Sequence, residues 1–146
     1  MSSFFDRLRN RSKGAPIMDQ AMQTMLGINP NAYCAKENGQ SVFLEDHRDP
    51  DDRMFRLEYQ CTGDGQGTRV FVRYNPWSPA NPATPDDLPI LDTHFYRGEI
   101  CIGDKSHGHG GYELGYAVLR ARHWCVCYSL LREHGVHVLR QVEPEW

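Results

Sequence analysis

Leu88–Asp104 reads L-P-I-L-D-T-H-F-Y-R-G-E-I-C-I-G-D, and the fold assigned to the whole chain depends on how that stretch is read. A proline-rich approach leads to His94, then to a turn glycine at Gly98, then to Cys101 between Ile100 and Ile102. A cysteine between β-branched neighbours in a strand is ordinarily a small hydrophobe. Here Gly98 and Gly103 bracket a very short extended piece, and a glycine-rich loop with His107 and His109 follows over Gly103–Gly111. A thiol at the mouth of such a loop can be partly exposed and close to groups that tune its pKa, which is the setting of nucleophilic cysteines. The residue types accommodate both readings.

Downstream, Tyr112–His134 is the clearest element. Leu114, Ala117, Val118, Ala121, Trp124, Cys125, Tyr128 and Leu131 recur at helical spacing, Glu113, Arg120, His123 and Arg132 fall largely off that stripe, and Gly135 supplies a stop. The tail Val136–Val142 alternates. Upstream, Asn75–Pro89 holds five prolines (Pro76, Pro79, Pro82, Pro85, Pro89) and cannot be central strand or helix. Trp77 in its middle is either pinned to the body of the fold or exposed for a partner.

Strands precede the prolines. Met54–Cys61 sets Met54, Arg56, Glu58 and Gln60 against Phe55, Leu57, Tyr59 and Cys61, the pattern of a half-buried strand. Thr62–Thr68, T-G-D-G-Q-G-T, closes a hairpin onto Arg69–Tyr74; it lacks the Lys-Ser/Thr of a phosphate loop, and a strand rather than a helix follows. Ser41–Leu44 is a short apolar run after the Asn38-Gly39 turn. Ile17–Leu26 reads as a short helix with Pro16 at its first turn and Gly27 as its stop, followed by an Asn29-Pro30-Asn31 turn. Residues 1–16 form a flexible basic N-terminal segment in which Arg7, Arg9, Arg11 and Lys13 cluster. They serve either as a solvated terminus or as a docking surface.

The 146 residues suit a single domain, here 17–146, and 40% hydrophobic with 24% charged residues is ordinary for a globular protein. A net charge of −3 gives no pull towards nucleic acid or anionic membrane. The start M-S-S-F-F-D-R-L-R-N-R lacks an apolar stretch of signal length, and no segment could span a bilayer. Five scattered cysteines imply free thiols, and a cytoplasmic location is expected.

H-F-Y-R-G-E-I-C-I resembles the active-site segment of ubiquitin-conjugating enzymes, which read His-Pro-Asn, a short spacer, then Gly-x-Ile-Cys-Leu. The order of elements is similar as well: a strand meander, a proline-rich loop, the His and Cys, then a long helix. The compact bacterial members of the family, encoded in defence operons, are the nearest in pattern. The resemblance implies an α+β fold of UBC type: an N-terminal helix, an antiparallel four-stranded meander and a long C-terminal helix. It implies a transferase that carries a ubiquitin-like modifier as a thioester on Cys101 and passes it to an amine. The implied partners are an activating enzyme and the modifier protein, with no cofactor. His94 then matches the family histidine that orders the loop, although only seven positions separate it from Cys101, fewer than in the eukaryotic pattern. Tyr96 stands where the family has an oxyanion-stabilising asparagine, Asp104 is the candidate for positioning or deprotonating the amine, and Arg7, Arg9, Arg11 and Trp77 are candidates for partner binding.

Other readings use the same residues. His107 and His109 with Cys125 and Cys127 supply a zinc-like ligand set, but Cys-x-Cys on a helix aims its thiols about 200° apart. Cys101 with His94, His107 or His109 has the residue types of a Cys/His hydrolase. A non-catalytic interaction module of the same fold is a further reading.

Overall fold

A computed structural model describes residues 18–82, 95–96, 98–102 and 112–134. The first element is helix α1, Gln20–Ile28. The Asp19 carboxylate accepts a hydrogen bond from the Met22 amide at 2.8 Å, a capping contact that fixes where the helix begins. The expected helix Ile17–Leu26 is therefore shifted: Met18 and Asp19 are not helical, so Pro16 does not open it. Gly27 lies inside it, and the chain leaves at Asn29, whose amide bonds to the Met25 carbonyl at 2.8 Å. Ala21 and Met25 face the core.

Six antiparallel strands follow: β1 Tyr33–Glu37, β2 Gln40–Arg48, β3 Met54–Cys61, β4 Arg69–Tyr74, β5 Phe95–Tyr96 and β6 Glu99–Ile100, in the order β1-β2-β3-β4-β6-β5. The expected four-strand meander is β1–β4, but the sheet does not stop there, because the β5–β6 hairpin docks on the free edge of β4. Asn38 and Gly39 both take positive φ, 52° and 79°, as a two-residue hairpin turn requires. In β3 the alternation predicted from sequence holds, with Phe55, Leu57, Tyr59 and Cys61 all at 0% exposure.

The Thr62–Thr68 loop does more than reverse the chain. The Gly63 carbonyl accepts from the Ala21 amide at 3.0 Å, and the Gly65 carbonyl accepts from the Leu114 amide at 2.8 Å. One loop thus receives a first-turn amide from each helix, groups that helical bonding leaves unpaired.

Helix α2 spans Leu114–His134. Tyr112 stays outside it, bridged to Thr68, and Glu113 caps the start by accepting from the Tyr116 amide at 2.8 Å. Every residue of the expected apolar stripe is buried, and Cys127 and Ser129 are buried beside it. Trp124 and Tyr128 stack with ring centroids 5.0 Å apart, and Phe55 of β3 meets both edge-on, at 6.4 and 6.2 Å. This aromatic cluster, with Leu57, Val70, Ile100 and Ile102, is the contact between sheet and helix. Among the described residues no helix is long and apolar enough to cross a membrane. The basic segment 1–16, Gly135 and the alternating tail lie outside the described residues.

Candidate active site

Cys101 directly follows β6. The hairpin that delivers it is short: Tyr96 pairs with Glu99, and Phe95 with Ile100. Gly98 closes it at φ 84°, a conformation that a side chain penalises, and its carbonyl accepts from the Val72 amide of β4 at 2.8 Å. The glycine of G-E-I-C is therefore explained by backbone geometry alone.

Two further contacts fix the segment. Ile100 and Ile102 are fully buried members of the core, while Cys101, at 7% exposure, lies outside that contiguous cluster. Glu99, also largely buried, receives a two-pronged ion pair from Arg69 of β4, at 2.9 and 2.6 Å. Its hydrogen bonds offset the desolvation that an unpaired carboxylate would suffer there. The Arg69 guanidinium also lies over the Phe71 ring at 5.2 Å.

The other candidates separate. Tyr96 is placed only as a backbone partner of Glu99. His94, Asp104, His107 and His109, like Arg7, Arg9 and Arg11, lie outside the described residues. In sequence His94 immediately precedes Phe95, whose strand partner Ile100 immediately precedes Cys101. Trp77 is half-buried and tied down. Its ring lies beneath the Arg53 guanidinium at 4.1 Å and the Arg132 guanidinium at 5.7 Å, and its Nε1 donates to Ser129 Oγ at 3.0 Å. Of the two roles open to it in the sequence, pinning is the one this geometry describes.

All five cysteines are thiols. Burial, helped by the nearby Asp19 carboxylate, pushes Cys34 up to about 11 and Cys61 up to about 12. Burial, with Glu45 close by, raises Cys125 well above the ordinary thiol range. Cys127 Sγ lies 3.4 Å from His123 Nε2. Among the described residues no group of three or more His, Cys, Asp or Glu could hold a metal ion.

Two polar clusters are absent from the candidates read from sequence. Glu45, 1% exposed, accepts from Tyr59 Oη at 2.7 Å and from Arg122 Nε of α2 at 2.8 Å. Asp49 accepts from Ser129 Oγ at 2.6 Å and from the Asp51 and Arg53 amides, both at 2.9 Å. Local spacing carries no sign of either, because the partners come from distant parts of the chain. The chain matches no protein-family model, no curated protein and no solved structure.

Proposed function

We propose that the chain is a ubiquitin-conjugating-like transferase in which Cys101 carries a ubiquitin-like modifier as a thioester. The observation that carries this reading is the placement of Cys101. It follows a glycine-closed hairpin on the edge of the meander, is buried but stands outside the contiguous apolar cluster that holds both neighbouring isoleucines, and precedes the long C-terminal helix in the chain. The order of helix, antiparallel meander, cysteine segment and long helix is that of the family the segment resembles.

The chemistry needs a reachable thiolate and a donor for a transient oxyanion. The Cys101 thiolate attacks the acyl carbon of the modifier held as a thioester on its activating enzyme. The tetrahedral oxyanion collapses, the activating enzyme's thiolate leaves, and the acyl group remains on Cys101. An amine then attacks; the amide forms, the Cys101 thiolate is released, and the amine proton passes to a base. Asp104 is proposed to position that amine or take its proton, His94 orders the segment, and Tyr96 is a candidate donor in place of the family asparagine. Arg7, Arg9 and Arg11 are the proposed contacts to the activating enzyme. A cytoplasmic place, read from the scattered thiols, and a bacterial defence role, implied by the resemblance, are part of the same proposal.

One observation favours a second reading. At 7% exposure the Cys101 residue is nearly covered, which suits a non-catalytic interaction module of the same fold. A charging assay separates the two: the protein, a cognate activating enzyme, its modifier and ATP, resolved with and without reductant. A reductant-sensitive adduct that disappears in Cys101→Ala is the expected result. Absence of any adduct, or an adduct that survives Cys101→Ala, overturns the transferase reading.

A further inference from the structure

We infer that His123 and Cys127 form a two-ligand site for a thiophilic divalent cation of the zinc class. Four residues apart on α2, the two side chains share one face of a 21-residue helix, and Cys127 Sγ lies 3.4 Å from His123 Nε2. Zinc bonds to thiolate at about 2.3 Å and to imidazole at about 2.0–2.1 Å in tetrahedral sites, so the sulfur–nitrogen edge of such a site is about 3.5 Å. The pair already stands at that separation. His123 is exposed and gives the ion access, whereas Cys127 is 3% exposed and holds the sulfur on the protein side.

On binding, the Cys127 proton goes to solvent and sulfur donates as thiolate. His123 donates the Nε2 lone pair. Two protein ligands leave further positions of a tetrahedral ion for water, an open arrangement that suits exchangeable rather than permanent metal.

Cadmium titration of the reduced protein tests this, with the thiolate-to-cadmium charge-transfer absorbance as readout and circular dichroism as the check on folding. The expected result is saturation at one equivalent, loss of the band in Cys127→Ser, and at least tenfold weaker binding in His123→Ala. The band should be unchanged in Cys101→Ser. Because His123 is exposed, His123→Ala keeps the test decisive even where Cys127→Ser folds poorly. No band in the native protein, a band of equal affinity in Cys127→Ser, or unaltered affinity in His123→Ala would overturn the site.

Discussion

Ser129 Oγ on helix α2 donates a 2.6 Å hydrogen bond to Asp49 Oδ2, across eighty positions of sequence. The same hydroxyl accepts from Trp77 Nε1 at 3.0 Å, so one serine joins the β2–β3 turn, the start of the proline segment and the helix. Ser129→Ala removes a donor from a carboxylate and an acceptor from an indole at once. Leaving buried polar groups short of partners costs about 1–3 kcal/mol. Urea unfolding should show that loss as a lower midpoint with an unchanged slope. A midpoint equal to that of the native protein would mean that water replaces the hydroxyl at no cost.

Asp49 also sets an acid limit. Burial works against its charge, but the Ser129 hydroxyl and the Arg53 amide and guanidinium outweigh that and hold its pKa below the ordinary carboxylate value. A depressed folded pKa gives stability that is complete above the unfolded value, about 3.9, and is lost as pH falls towards the folded one. Asp49→Asn should therefore be less stable at neutral pH and should lose less stability than the native protein on acidification below about pH 4. Parallel pH–stability curves for the two proteins would contradict this.

Arg122 and Glu45 form a buried pair of the kind that is costly to break on one side. Glu45 is 1% exposed and also accepts from Tyr59 Oη. Arg122→Ala leaves that carboxylate buried with only neutral donors, the Tyr59 phenol and a long contact from Asn29 Nδ2 at 3.4 Å, at an expected cost of about 3–5 kcal/mol. Arg122→Ala combined with Glu45→Gln should recover part of the loss, since the uncompensated charge is then gone. Thermal unfolding of the two single variants and the double variant reads the coupling directly.

What was legible in the sequence is what short-range geometry dictates. Alternation at Phe55, Leu57, Tyr59 and Cys61 places β3, Asn38-Gly39 announces a two-residue turn, and the apolar spacing from Leu114 to Leu131 marks α2. The start of α1 was misread because two signals compete: Pro16 suits a first helical turn, but the Asp19 carboxylate caps a later one. The β5–β6 hairpin was missed as a strand pair because two-residue strands carry no periodicity. Glu45 with Arg122 and Asp49 with Ser129 join positions 77 and 80 apart, and nothing local in the sequence indicates such pairings. The coverage of Cys101 was equally illegible, since burial depends on what packs around a residue.

Gly98 is where the fold and the proposed chemistry meet. At φ 84° it closes the hairpin that delivers Cys101. An alanine there occupies a left-handed conformation that costs an L-residue roughly 1–2 kcal/mol. Gly98→Ala should lower global stability by about that much and, under the transferase proposal, slow Cys101 charging by loosening the segment ahead of the thiol. Gly98→Asn, better tolerated at positive φ, should be the milder of the two. Charging that is unaffected in Gly98→Ala, alongside a measured loss of stability, would uncouple hairpin geometry from the thiol.

The raised thiols predict behaviour at the alkaline end. Cys34 at about 11, Cys61 at about 12 and Cys125 well above its ordinary value all favour the protonated form in the folded protein. A raised folded pKa gives stability that is intact below the unfolded thiol value, about 8.5, and is lost as pH rises towards the folded one. The native protein should therefore destabilise progressively above about pH 8.5, and Cys61→Ala should reduce that dependence while costing packing at all pH values. Thiol labelling followed by peptide mass analysis adds a site-resolved check. At neutral pH these three cysteines should remain unmodified until denaturant unfolds the chain, because each unit of pKa elevation lowers the thiolate fraction about tenfold. Rapid labelling of Cys61 or Cys125 in the folded protein would show that the sheet and α2 open far more readily than their packing implies.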